Sequence, residues 1–415
     1  MKFNKWTLGL AAIGAVSLAS AARAEEAKMS TLGTAVSSTV LSGYVDTSVH
    51  WNPGTGNANV PNYSFNTPGK ADGFNLDSVK LSLSKAEDES EWAAGYQFDA
   101  LFGPDADTLN TVSTGNGASD FTIEQAYVTL RTPVGNGIDW KLGVFDTVIG
   151  YESTADPNNP NYTRSYGYTI EPTTHTGIYG TYKISDLISV GAGVANTFGP
   201  IIGGQTTGPF GGRSNPPKAE SEKTYMGTVS LTAPNSWGFL GGSSLSAGVI
   251  NGYSPGNTAV RTAVYAGATV NTPITALKTG ISWDYENVQS QNYGPGIGSA
   301  EAWAEDVALY ASFQATEKLS LNARAEYFWQ TEGLVTPNQI LPGSAGGRGP
   351  SKVLALTGTV QYDLWKNVLS RLEVRWDHAA DGGPSYGGNF TPNGGNLGPD
   401  KNNSWLIAAN IIYKF

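Results

Sequence analysis

The chain contains no cysteine. That excludes a disulfide framework and thiolate chemistry, and it suits an exported protein that travels unfolded and must not be mis-bridged. Histidine is nearly as scarce, with His50, His175 and His378 the three in the sequence. No His-Glu-x-x-His, no histidine pair at metal spacing and no Cys-x-x-Cys occurs, so a catalytic metal centre lacks ligands and neither metal nor cofactor is expected. His378 follows Asp377, but neighbours on a strand point to opposite faces, which breaks up a Ser–His–acid set. Charged residues make up 14% of the chain, against about 25% in ordinary globular domains. Also missing is any run of about 18 apolar residues that could form a membrane helix. There is no basic excess: the formal net charge is −10, which argues against nucleic acid as a partner.

What is present points one way. Glycine contributes 52 of 415 residues and aromatics 11%, a mixture that fits a barrel with an apolar outside and a polar inside. Met1 to Ala24 reads as a secretory signal peptide. Lys2 and Lys5 form its charged start, Leu8 to Ala19 its short apolar core, and Ala22-Arg23-Ala24 its cleavage site. Removing it leaves 22 basic residues against 35 acidic ones, a net of −13. The mature barrel domain is then expected over 25–415.

The closing stretch, Ser404 to Phe415, sets the pattern. Trp405, Ile407, Ala409, Ile411, Tyr413 and Phe415 alternate with a mixed, partly polar set, so one face of a strand is continuously apolar with aromatics at both ends. A tilted strand of that length spans a bilayer, and aromatic ends suit its two interfaces. The same unit recurs. Strands are expected at 40–51, 76–84, 92–102, 121–131, 137–148, 174–184, 187–198 and 224–233. Others follow at 243–252, 260–271, 276–287, 303–315, 319–330, 352–364 and 368–378 before the last. Short connections alternate with long ones rich in Gly, Asn, Pro and Ser. The reading is all-β: a transmembrane antiparallel up-and-down β-barrel of about sixteen strands, too wide for side chains to fill.

A charge at mid-depth on the lipid face costs about 2–4 kcal/mol, so the alternation turns charged strand residues inward. The inward bases are Lys80, Arg131, Lys141, Lys183, Arg261, Lys278, Arg324, Arg371 and Arg375. The inward acids are Asp99, Asp284, Glu286, Glu326, Glu373 and Asp377. Opposed rows of this kind make a transverse field that favours hydrated polar solutes, or they neutralise one another and brace the wall. Tyr44, Tyr127, Tyr179, Tyr265 and Tyr310 are inward aromatics that a substrate-specific channel could use. The net charge suggests a mild cation preference, although the inward inventory is nearly balanced. Gly343 to Lys352 superficially resembles a phosphate loop but lacks Gly-Lys-Ser/Thr, and its glycine content explains it. Asp105 and Asp107 read as solvated loop acids.

Leu41–Asn52 (LSGYVDTSVHWN), Lys141–Glu152 (KLGVFDTVIGYE), Asp156–Tyr168 (DPNNPNYTRSYGY), Glu171–Gly180 (EPTTHTGIYG) and Ser370–Ala379 (SRLEVRWDHA) resemble a Gram-negative outer-membrane β-barrel porin group, OmpL-like (porin-2). Between about 199 and 350 the likeness is one of pattern only. The aromatic end, with Tyr413 and Phe415, resembles the carboxy-terminal assembly signal of outer-membrane barrels. The resemblance implies a passive channel for small hydrophilic solutes, with lipopolysaccharide, outer-membrane lipid and the assembly machinery as partners and a homotrimer as the assembly. It also implies that the third long loop, Gly150 to Pro172, narrows the lumen, offering Glu152, Asp156, Arg164 and Glu171. A substrate-specific channel and a plugged structural or adhesive barrel are the alternatives, and catalysis is not expected.

Overall fold

The computed structural model describes residues 38–415 apart from 55, 62, 66–69, 71, 110–119, 200–220, 254–259, 293–298, 332–349 and 390–397. The leader assigned to 1–24 and the glycine-rich stretch 343–349 lie outside the described residues. Sixteen strands follow in order. They are β1 (Val40–Trp51), β2 (Phe74–Lys85), β3 (Ala94–Phe102), β4 (Phe121–Thr132), β5 (Ile138–Asp146), β6 (Thr174–Lys183), β7 (Ile188–Ala195) and β8 (Thr224–Thr232). Then come β9 (Ser244–Tyr253), β10 (Val260–Asn271), β11 (Leu277–Asn292), β12 (Ser299–Gln314), β13 (Leu319–Gln330), β14 (Lys352–Trp365), β15 (Val368–Ala379) and β16 (Asn403–Lys414). Each pairs antiparallel with its neighbours, and β1 pairs with β16 to close the ring. Closure leaves no unpaired strand edge, which a membrane does not tolerate.

The faces follow from the alternation. On β14, Leu354, Leu356 and Val360 point outward and are exposed, while Val353, Ala355, Thr357 and Thr359 are buried inside. Outward Leu81, Leu83, Val128, Leu130, Leu142 and Ile178 continue the lipid-facing belt around the other side. At the seam, Gly43 and Phe415 exchange two backbone hydrogen bonds of 3.0 Å each, so the final aromatic residue is part of the wall.

Two bulges add inward residues that a simple period of two does not mark. Opposite the Asp46/Thr47 step of β1, strand β2 carries one extra residue, so Asp77 and Ser78 are both buried in the interior while Phe74 and Leu76 stay outside. Opposite the Asp99/Ala100 step of β3, strand β4 does the same at Glu124. Both bulges enrich the interior in acid.

Candidate functional site

The loop between β5 and β6, residues 147–173, lies inside the barrel. Its two stems are joined where the Thr147 amide donates to the Thr173 carbonyl at 2.8 Å. Gly150 stands at φ 111°, the left-handed region that favours glycine, and a Cβ there would run into the Glu171 carboxylate. Tyr151 stacks on Tyr310 of β12 with ring centroids 4.1 Å apart. A 3₁₀ turn at Asp156–Asn158 reverses the chain, with Pro157 pre-set for its first turn. Farther on, Tyr166–Ile170 forms a single helical turn whose N-cap Ser165 accepts from the Tyr168 amide at 3.1 Å.

Arginines hold the loop together and to the wall. Arg164, 1% exposed, donates to Asp156 at 2.8 Å and to the carbonyls of Ser153, Thr154 and Tyr162, tying the two arms of the loop to each other. Arg324 of β13 donates to Glu152 at 2.8 Å, to Glu326 at 2.9 Å and to the Thr163 carbonyl at 2.7 Å. Arg375 of β15 reaches the Arg164 carbonyl at 2.7 Å and Asp377 at 2.9 Å, and its guanidinium lies 3.8 Å from the Tyr63 ring centroid. Arg371 donates to the carbonyls of Asp156 and Asn159. Carboxylates take the loop's free amides. Glu373 accepts from the Tyr162 and Thr163 amides at 2.6 and 3.0 Å. Glu326 accepts from the Tyr166 amide at 2.7 Å and Asp306 from the Gly167 amide at 3.1 Å. On the other flank, Ser78 donates to Asp156 at 2.7 Å, and the Tyr162 hydroxyl meets His50 at 2.7 Å and Asp77 at 3.0 Å.

The sequence places these bases across open lumen from the loop's acids; the structure sets them in direct contact with it. Arg324, Arg371, Arg375, Glu326, Glu373 and Asp377 are at most 3% exposed, so their charge is spent on anchoring. The inward tyrosines Tyr44, Tyr179, Tyr265 and Tyr310 are buried as well, packed under loops rather than ranged along a path. The first loop joins them: its Ser64 amide donates to Thr169 at 3.0 Å, and Lys70 bridges Asp77 and Asp105 at 2.8 and 2.5 Å.

The remaining inward residues fall into pairs. Lys80 contacts Glu124 at 2.9 Å and Asp99 at 3.1 Å, Arg131 contacts Asp139 at 3.4 Å, Lys183 contacts Asp186 at 2.7 Å and Arg261 contacts Glu286 at 3.0 Å. Lys278 is half-buried at the start of β11. Lys141 sits over the Tyr127 ring, 5.1 Å from its centroid. Asp284 flanks Gly167 and is hydrogen-bonded to Glu171. Sequence reasoning passes over Asp306, Glu124, Asp77 and Tyr63; Asp306 shares the inward parity of Tyr310 on β12, Glu124 and Asp77 are visible only once the bulges are known, and Tyr63 only once the first loop is placed.

Electrostatics follow from this burial. Burial acts to strip charge from the Arg164 guanidinium, but Asp156 beside it outweighs that and holds it further above its ordinary range. Burial, then the neighbouring Asp284, pushes the Glu171 carboxyl well above the usual carboxylate range. Two carboxyls hydrogen-bonded to each other share a proton. Asp105 is pushed up to about 7 by burial, against the pull of Lys70. Among the described residues no group of three or more His, Asp or Glu could hold a metal ion.

A closed sixteen-stranded barrel with a loop folded into its interior defines the outer-membrane porin class. The family described as "Putative beta-barrel porin-2, OmpL-like" matches residues 38–415, and the chain belongs to that family. Its barrel is similar to an anion-selective porin from Comamonas acidovorans, with 15% identity, TM-score 0.54, and 91% of this chain and 99% of that one covered. The outer membrane channel DcaP of Acinetobacter baumannii is similar at 14% identity and TM-score 0.54, over 91% and 97% of the two chains. A trimer form of OmpT from Vibrio cholerae is similar at 11% identity and TM-score 0.52, over 91% and 99%. A search of the curated proteins found no match. The chain is therefore an outer-membrane channel.

Proposed function

We propose that the channel conducts small hydrophilic solutes and ions passively. Its narrowest part lies where the loop of residues 147–173 crosses the interior, beside the half-buried Ser153, Thr154, Ala155, Pro157 and Asn158. The observation that carries this is the docking of the loop inside the barrel. Its charged side chains are spent within the loop and on β2, β11 and β13, while Ser153, Thr154, Ala155, Pro157 and Asn158 stay half-buried and uncharged, with Ala155 packed at the seam of β1, β15 and β16. Passive passage needs a wet constriction and a charge field, and no reactive group. We infer further that residues 1–24 are a cleaved leader, that Tyr413 and Phe415 serve the assembly machinery, that the long loops contact lipopolysaccharide, and that three copies assemble.

Single-channel recording in a planar bilayer tests the channel reading. Stable conductance steps from purified, folded protein support it, and a silent bilayer turns the assignment toward a plugged structural barrel. Because the chain has no cysteine, a thiol placed at Asn158 gives a specific probe of the constriction. A charged thiol reagent should reduce the current through Asn158→Cys and leave Trp237→Cys, on an exposed turn, unaffected. Saturation of the current by one solute would instead favour a substrate-specific channel.

A further inference from the structure

Between the β2–β3 and β4–β5 turns lies a cavity of 740 Å³ whose lining carries five acids against three bases, with Glu87, Asp88, Glu89 and Glu91 all on the β2–β3 turn. Gln97 of β3 belongs to that lining, and its amide donates to Asp99 at 2.5 Å. Two residues along the strand from the cavity, the wall is acidic again. Asp99, Glu124 and Asp146 come from β3, β4 and β5 and share one ammonium. Lys80 of β2 lies 3.1 Å from Asp99 and 2.9 Å from Glu124, and Asp146 acts on it as well. Lys141 is the next base, and it acts on Asp146 more weakly than Lys80 does. Asp156, which also acts on Glu124, is spent on Arg164. With both lysines counted, three carboxylates face two ammoniums, an excess of one negative charge.

The three acids are not equally satisfied. Asp99 accepts from Gln125 at 2.8 Å in addition to Gln97. Glu124 is 1% exposed, yet its Oε1 meets no donor among the described residues, and neither does Oδ1 of Asp146. These two carboxylates stand on neighbouring strands, each two residues beyond the last pair of β4 and β5, Ala126 and Val144. The bulge opposite Asp99 and Ala100 is what turns Glu124 inward. A buried carboxylate oxygen without a donor is costly to keep, and a cation supplies what it lacks. The wall residues that hold the loop in the contacts above belong to β1, β2 and β11–β15, which leaves β3–β5 free of them.

We propose that Glu124 and Asp146, opposed by Lys80, form a cation subsite at the inner end of this cavity, so that small monovalent cations pass in preference to anions. The subsite rests on the channel reading above. The carboxylates do not gather round one point as metal ligands do, so a passing cation keeps part of its water and is held by charge. Acidic side chains facing a pore select cations in this way, and the acid-rich lining of the cavity supplies the same sign of field on the approach.

The test is the reversal potential of the full, folded protein in a planar bilayer across a KCl gradient. Wild type should favour potassium. Glu124→Gln should lower the potassium-to-chloride permeability ratio by about five-fold, the Boltzmann weight of one unit charge at contact distance in water, and Asp146→Asn should lower it too. Glu124→Asp should keep the wild-type ratio. Lys80→Gln, which removes the opposing charge, should raise it, and Glu317→Gln, on an exposed turn, should leave it unchanged. The heat-dependent gel mobility of a folded barrel confirms that each variant has closed. A preference for chloride in wild type overturns the subsite alone. So do open channels with the wild-type ratio in both Glu124→Gln and Asp146→Asn, the result expected if these carboxyls carry protons. An equal fall in Lys80→Gln and Glu124→Gln also overturns it, because it marks a group that only braces the wall. A silent bilayer from folded protein overturns the channel reading and the subsite with it.

Discussion

Replacing Glu373 with alanine should release the loop from the wall. Glu373 is 0% exposed and accepts four hydrogen bonds: from the Tyr162 amide at 2.6 Å, the Thr163 amide at 3.0 Å, the Thr163 hydroxyl at 2.6 Å and the Thr359 hydroxyl at 2.7 Å. Three of the four come from the loop. Hydrogen bonds to a charged group contribute about 1.5–3 kcal/mol each. Their sum overstates the effect, because water in the lumen re-solvates the freed amides. Leaving a buried donor without its acceptor costs about 1–3 kcal/mol, which moves the docked-to-undocked ratio by about 5–150-fold. The barrel itself should stay closed, since its ladder of backbone bonds does not involve this side chain. Limited proteolysis of the folded protein should then cut between Ser153 and Arg164 in the variant and not in wild type, and single-channel current should become noisier. Glu373→Gln, which keeps one acceptor, should fall between the two. Unchanged protease resistance and quiet current in Glu373→Ala would refute the anchoring argument.

Two further outcomes follow from the same contacts. The raised pKa of Glu171 means that the folded loop holds a proton the unfolded chain has lost. Docking is therefore strongest below the ordinary value of 4.5 and weakens as pH rises from there through the raised value. Loop protection in wild type should decline across that window, and Glu171→Gln should flatten the dependence; an equal slope in both would remove the shared proton from the account. Gly167 lies against the carboxylates of Asp284 and Asp306, the latter 3.1 Å from where a Cβ would stand. Gly167→Val should thus undock the short helix and cost about 1–3 kcal/mol by overpacking, read as new cleavage near Tyr166.

The strands were legible because a membrane wall imposes a strict period of two, which Leu354, Leu356 and Val360 obey without exception. The inward charges were legible for the same reason, as Arg324 and Arg375 on neighbouring segments of pattern show. What they do was not. The contact of Arg324 with Glu152 joins positions with no shared periodicity, and the loop's path is set by side chains drawn from many strands. Tyr63 beside Arg375 depends on how an irregular loop folds inward, for which no repeat exists. Glu124 and Asp77 were hidden by bulges, which break the alternation that makes the rest readable.

The loop's anchors also fix an order of events. Ser78, His50 and Asp77 belong to the first two strands, while Arg324, Arg371, Glu373 and Arg375 belong to strands near the end of the chain. In an open sheet these two groups stand at opposite margins, and they become neighbours only when β1 meets β16. The loop therefore cannot settle until the ring is complete. Docking it onto the wall's arginines is a late step that rewards closure, and a barrel arrested at the seam would present an unanchored loop to any protease that met it.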